Sequence, residues 1–215
     1  MSRQDDQPNL TLPPQRAPTT DEELCASHVV APTPLNGTVF IAAYDPAWPR
    51  MFAAEAATIR GTLGARALLL EHAGSTSVPG LPAKPLIDIV LVVADPTDEA
   101  AYVPPLEAAG YALRIREPEW YQHRVLKRLD PEVNLHVFGP DCEETRRMLA
   151  FRDWLRAHDA DRDLYARTKR ELARREWKYV QHYADAKSDV VREILARAIA
   201  SADVAQKAHE FTGQL

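Results

Sequence analysis

Residues 86–93 read Leu-Ile-Asp-Ile-Val-Leu-Val-Val, a nearly continuous run of β-branched residues and leucine. Such a run has no polar face to give to water, so it predicts a central strand covered on both sides by other layers. Asp88 interrupts it. A carboxylate inside an apolar strand is costly to bury unless it meets a cation or a hydrogen-bonding ligand, so this residue is the first candidate for a site.

The flanking residues supply the covering layers. Asp45-Pro46-Ala47-Trp48 offers a capping acid and then proline at the first helical position. Phe52, Ala56, Ile59 and Leu63 then recur at helical spacing, and Gly64 stops the helix. Residues 39–41 and 67–70 read as short strands and residues 98–109 as a helix ended by Gly110. Residues 111–116, 123–129 and 133–138 read as three more strands, with Asp130-Pro131 turning between the last two. From Glu143 the pattern becomes helical, with faces at Met148, Phe151, Trp154 and Leu155, at Leu164, Thr168 and Leu172, and at Val190, Val191, Ile194, Leu195 and Ala198.

Strands first and helices second predict an α+β fold, a mixed sheet with helices on its faces and a helical C-terminal part. The expected division is a disordered proline-rich tail over 1–37, one domain over 38–200 with an α/β core (38–140) and a helical part (141–200), and a helix end or tail over 201–215. A formal net charge of −5 argues against a broad grip on nucleic acid, so the expected partners are small molecules. Two cysteines, Cys25 and Cys142, and no charged-then-apolar leader predict a reduced, cytoplasmic protein. No apolar run reaches the length of a membrane span, and no membrane partner is expected. Oligomeric state is left open.

Gly74-Ser75-Thr76-Ser77 follows a strand, so its backbone N–H groups and hydroxyls suit a phosphate, although ordinary Ser/Thr-rich turns have the same composition. It is neither a Walker loop nor a dinucleotide fingerprint. Asp88 is a natural ligand for magnesium, which favours a carboxylate together with substrate phosphates; its bland alternative is an ion pair with Lys84 or an arginine. Glu132, Asn134 and His136 alternate with Val133, Leu135 and Val137, so strand geometry puts the three polar groups on one face. That face lines a cleft or is simply solvated, and His136 is open to metal ligation, base chemistry or a core hydrogen bond. Arg124 and Lys127 belong to a cationic cluster suited to phosphate or to a charged edge strand. Arg152 and Arg156, one helical turn apart, either pair with nearby acids or lend cations to a ligand lying over the sheet.

The residues from Glu71-His72-Ala73-Gly74-Ser75-Thr76-Ser77-Val78-Pro79-Gly80-Leu81 through Ala83-Lys84-Pro85-Leu86-Ile87-Asp88-Ile89 resemble the GrpB family. So do Tyr44-Asp45-Pro46-Ala47-Trp48-Pro49, Asn134-Leu135-His136-Val137 and Phe151-Arg152-Asp153-Trp154-Leu155-Arg156, and the likeness covers about residues 39–198. The resemblance implies a nucleotidyltransferase-like fold, and with it a nucleoside triphosphate donor, a small-molecule acceptor and magnesium. The superfamily's signature is Gly-Ser or Gly-Gly, then two acids flanking a hydrophobic residue on one strand, and a third acid on a neighbouring strand. Gly74, Ser75 and Asp88 match it, Val90 stands at the second acid, and His136 or a shifted Glu132 stands at the third. Asp88 and His136 are thus the implied catalytic pair, and Asp88 with Glu132 the implied metal ligands. Gly74, Ser75, Thr76, Ser77, Lys84, Arg124, Lys127 and Arg152 are the expected phosphate contacts. Valine cannot ligate a metal, so the alternative is a noncatalytic module that binds nucleotides or anions.

Overall fold

The computed structural model describes residues 10–212, with side chains described as far as 202. Its sheet contains β1 (Leu69–Ala73), β2 (Ile87–Val92), β3 (Ala112–Glu117), β4 (His123–Leu129) and β5 (Glu132–Phe138), in the order β1-β2-β5-β4-β3. β2 and β5 run parallel and the other neighbours antiparallel, so the sheet is mixed. Seven α-helices are described: α1 (Asp21–Ser27), α2 (Trp48–Leu63), α3 (Glu99–Ala108), α4 (Glu143–Ala157), α5 (Asp159–Ala173), α6 (Val180–Asp185) and α7 (Ser188–Thr212). The fold is α+β, with the C-terminal half helical.

β2 is interior and buried on both faces. Toward α2 and α3, Ile87, Ile89 and Leu91 join Val133, Leu135 and Val137 of β5, with Ile59, Leu63, Tyr102 and Leu106 from the helices closing the main core. Each fully buried aliphatic or aromatic side chain contributes about 1.5–3 kcal/mol there. On the other face Val90 packs with Ala73, Val92 and Phe138 beneath Met148 and Trp120. The helical part is joined to this frame by Val78 and Leu81, which pack with Leu155, Tyr165, Ala166 and Ile194. Buried Lys169 of α5 also donates to the carbonyl of Pro82 at 2.5 Å.

Three local expectations are corrected. Residues 39–41 form no strand: Val39 and Ile41 bury against Leu172, Ala173, Tyr183 and Trp177, so their apolar side chains are satisfied by helices without a ladder. The strand expected over 67–70 begins two residues later, because Gly64–Arg66 makes a 3₁₀ turn and leaves Leu68 exposed. The segment expected to be a disordered tail is ordered over its described residues. Thr20 and Glu23 form a reciprocal capping box on α1, Leu24 is buried, and Thr11 donates to Glu143 of α4 at 2.9 Å. The prolines fix an extended strap across the helices; residues 1–9 lie outside the described residues. At the far end α7 continues to Thr212.

Candidate functional site

Gly74 ends β1 at φ +63°, a conformation that glycine adopts freely. A Cβ there would lie 2.2 Å from Asp88 Oδ2 and 2.9 Å from Asp88 Cβ, so the turn is seated directly on the carboxylate. Register sets the rest of the face. Ala73 lies opposite Asp88 across β1 and β2, and Asp88 lies opposite Asn134 across β2 and β5. Asn134 Nδ2 donates to Asp88 Oδ1 at 3.1 Å, and His136 Nε2 stands 3.5 Å from the same oxygen. Both Asp88 and His136 are half-buried, open enough for a ligand and sheltered enough for their charges to matter.

A row of side chains continues behind His136. Its Nδ1 lies 3.1 Å from His123 Nε2, and His123 Nδ1 lies 2.6 Å from Glu117 Oε2. Glu117, His123, His136 and Asp88 therefore cross the sheet in one line from β3 through β4 and β5 to β2. Burial pushes the His123 imidazole down to about 4, against the pull of the Glu117 hydrogen bond, so the ring is neutral near pH 7. Burial works against the Glu117 carboxylate, yet the His123 hydrogen bond leaves it below the ordinary glutamate value.

Of the turn's hydroxyls, two face inward. Thr76 Oγ1 donates to the Leu86 carbonyl at 3.0 Å and meets His72 Nε2 at 3.1 Å, while Ser77 Oγ donates to the Gly74 carbonyl at 2.6 Å. They hold the turn's shape and are not brought to the ligand side. Ser75 is half-buried, and its hydroxyl meets the Tyr165 phenol contributed by the helical part. Lys127 lies on the same sheet face, opposite Asn134; burial, then Lys84, lower its pKa, while Glu132 and Asp88 oppose them. Lys187, over the Tyr183 ring at 4.5 Å, also lies within the field of Asp88.

Three expected contacts go elsewhere. Arg124 is on the opposite face, opposite Val137, where it is buried and pairs with Glu99 of α3 at 2.6 Å. Arg152 is buried at the edge of β1, bonded to Glu71 at 2.7 Å and to the His72 carbonyl at 2.9 Å. Glu132 is exposed and joined to Lys84 at 2.5 Å, so these two spend their charges on each other. The position of the second acid is closed as well: Val90 has no exposure at all.

Among the described residues, no group of three or more His, Cys, Asp or Glu side chains could hold a metal ion. The donor set at Asp88 is one carboxylate with an imidazole beside it. This fits a single ion completed by substrate phosphates and does not fit a pair of ions. His123 and Glu117 were missed in the sequence, whereas Tyr165 and Lys187 belong to the helical pairs, Tyr165 with Lys169 and Tyr183 with Lys187, that the sequence offers as surface pairs or as a cap over a ligand. A signal existed for His123: the turn at Asp130-Pro131 pairs Leu129 with Glu132, and counting back from it sets Val125 against His136 and His123 against Phe138.

Comparison with known proteins agrees with this fold. The family model described as GrpB protein matches residues 38–197. A UPF0157 protein of Halalkalibacterium halodurans is 56% identical over 195 residues, which cover 88% of this chain and all of that protein. The crystal structure of the conserved protein GrpB from Enterococcus faecalis superimposes with a TM-score of 0.68 at 29% identity, covering 75% of this chain and 98% of that one. A dephospho-CoA kinase of Mycolicibacterium paratuberculosis is 30% identical over 180 residues; the match takes in 72% of this chain and 44% of the kinase.

Proposed function

The chain belongs to the GrpB family, and we propose that its site binds a nucleoside triphosphate and transfers the nucleoside monophosphate to a small acceptor. The observation that carries this reading is the convergence of Gly74, Asp88 and His136: a backbone turn pressed on a carboxylate, with an imidazole 3.5 Å away on the neighbouring strand. In this reading the N–H groups of the turn and the Ser75 hydroxyl receive the phosphates. Lys127 and Lys187 offset their charge from the sheet and from the helical part. Asp88 would hold one magnesium ion, which when bound neutralises the triphosphate and polarises the reacting phosphorus. His136 accepts the proton of the acceptor as the new bond forms, and pyrophosphate leaves. Arg124, Arg152, Thr76 and Ser77 support the frame in this scheme, and Glu132 has no place in it.

The test is incubation of the protein with magnesium, labelled nucleoside triphosphates and pooled small metabolites. Pyrophosphate release that depends on Asp88 is the expected result, and release unchanged in Asp88→Ala removes the site from the reaction. A second reading, a noncatalytic module that binds nucleotides or anions, is favoured by the buried Val90, because the second carboxylate of a two-metal site has no room to stand. Calorimetry separates the two. Nucleotide binding that needs no magnesium, with no turnover across a broad acceptor panel, selects the module.

A further inference from the structure

We propose that Glu117 and His123 are positioning residues that hold His136 as its Nδ1–H tautomer, with the Nε2 lone pair turned to the ligand side beside Asp88. The proposal deepens the transfer reading and rests on it for the role of His136, but the arrangement of protons stands on geometry alone.

An ionised carboxylate only accepts hydrogen bonds, so Glu117 Oε2, at 2.6 Å, requires a proton on His123 Nδ1. His123 is buried, lies almost flat on the Phe138 ring at 4.6 Å and meets the edge of Trp120 at 5.0 Å, surroundings that favour the neutral imidazole. A neutral ring with its proton on Nδ1 has a lone pair on Nε2. The contact of 3.1 Å from that atom to His136 is then a hydrogen bond only if His136 Nδ1 is the donor. The proton of neutral His136 is thereby spent inward, and its Nε2 is bare. The rings of His123 and His136 are tilted by only 8°, so the donor and acceptor stay in register.

The consequence concerns the substrate. His136 Nε2 and Asp88 Oδ1, 3.5 Å apart, are two acceptors aimed at one place, and what stands between them must be a donor or a cation. A hydroxyl or amine on the acceptor meets that demand and can lose its proton to Nε2. An acceptor whose attacking group is already an anion, such as a carboxylate or phosphate, does not. In the transfer reading the magnesium ion answers Asp88, and the bare Nε2 is left to take a proton, which assigns the site to a protic nucleophile.

Long-range proton–nitrogen correlation NMR on histidine-labelled full-length protein, at a mildly alkaline pH without nucleotide, reads the tautomer directly. For His136 the expected spectrum has a protonated Nδ1 and an unprotonated Nε2. In His123→Phe the ring should move to the Nε2–H form. Glu117→Gln keeps an acceptor oxygen and should leave His136 as it is, whereas Glu117→Leu should release it. A wild-type His136 protonated on Nε2, or on both nitrogens, overturns the proposal, and so does an unchanged His136 signal in folded His123→Phe. The wild-type spectrum decides the matter even if a variant fails to fold. Because no turnover is involved, the expected spectrum with no pyrophosphate release would sink the transfer reading and leave the tautomer assignment standing.

Discussion

The two faces of β5 are built from alternate residues of one seven-residue strand, yet they obey different rules. Val133, Leu135 and Val137 face α2 and α3, and the charges on that side sit in close ion pairs: Arg124 and Arg116 share Glu99 at 2.6 and 2.7 Å, and Arg128 meets Glu55 at 3.2 Å. Asn134 and His136 face the helical part, where Asp88 acts on Lys127 and on Lys187 through space rather than through close ion pairs. The first face has its charges compensated before any ligand arrives. The second leaves a half-buried carboxylate beside an imidazole, with two ammonium groups in its field and neither in contact with it, an arrangement that a further group could complete. The contrast teaches that burial alone does not locate a site, since Arg124 is more deeply buried than Asp88 and is purely a strut.

Four measurements would sharpen or break that contrast. The largest effects are expected where the site touches the frame and on the closed face. Gly74→Ala should lower stability by about 3 kcal/mol, since it combines a positive φ with a clash against Asp88, and a urea melt within about 0.5 kcal/mol of wild type would show the contact to be slack. On the closed face, Leu135→Ala should cost about 2–5 kcal/mol by leaving a cavity, while His136→Ala, one residue later on the half-exposed side, should cost about 1–2 kcal/mol by leaving His123 Nε2 without its donor. Equal losses would dissolve the distinction between the faces.

Acid should act on both faces through buried histidines. His123 on the site side and His72, stacked on Phe52 on the other, are each held by burial at about 4, against an ordinary 6.5. The unfolded chain therefore binds more protons between those values, so stability contributed by the neutral rings is complete above about pH 6.5 and is lost as pH falls toward about 4. His123→Phe, if it folds, should flatten part of that slope in chemical melts taken across the window. The smallest expected effects distinguish two cations on β4. Arg124→Ala should destabilise by about 1–2 kcal/mol and leave nucleotide affinity alone, because it removes a buried guanidinium from Glu99, which keeps Arg116 as its other partner. Lys127→Ala should change stability by less than about 1 kcal/mol and weaken nucleotide binding roughly tenfold. A swap of those outcomes in calorimetry and urea melts would reverse the roles assigned to the two sides.

The parts legible in the sequence were those governed by local pattern. The apolar run around Asp88 became an interior strand, the alternation over 132–138 became two faces, and the helical period after Glu143 became α4, α5 and α7. What remained hidden depended on pairing between strands. Nothing near Arg124 reveals that it faces Glu99 of α3, and His123 approaches His136 only through the β4–β5 register counted back from the Asp130-Pro131 turn. The inward turn of Thr76 and Ser77 was hidden for a related reason. A run of hydroxyls has one composition whether it binds a phosphate or ties its own backbone. Proline content likewise cannot tell a free tail from a strap held down by its capping box and by α4.

The seating of Gly74 on Asp88 has a further consequence, for inheritance. Position 88 constrains position 74: a side chain at 74 collides with the acid. Loss of the carboxylate would relieve the nearest collision, while the positive φ would go on disfavouring a side chain at 74. The mark is therefore one-sided: in a related chain a side chain at the end of the first strand signals that the acid beneath it has moved or gone, whereas a glycine is compatible with either.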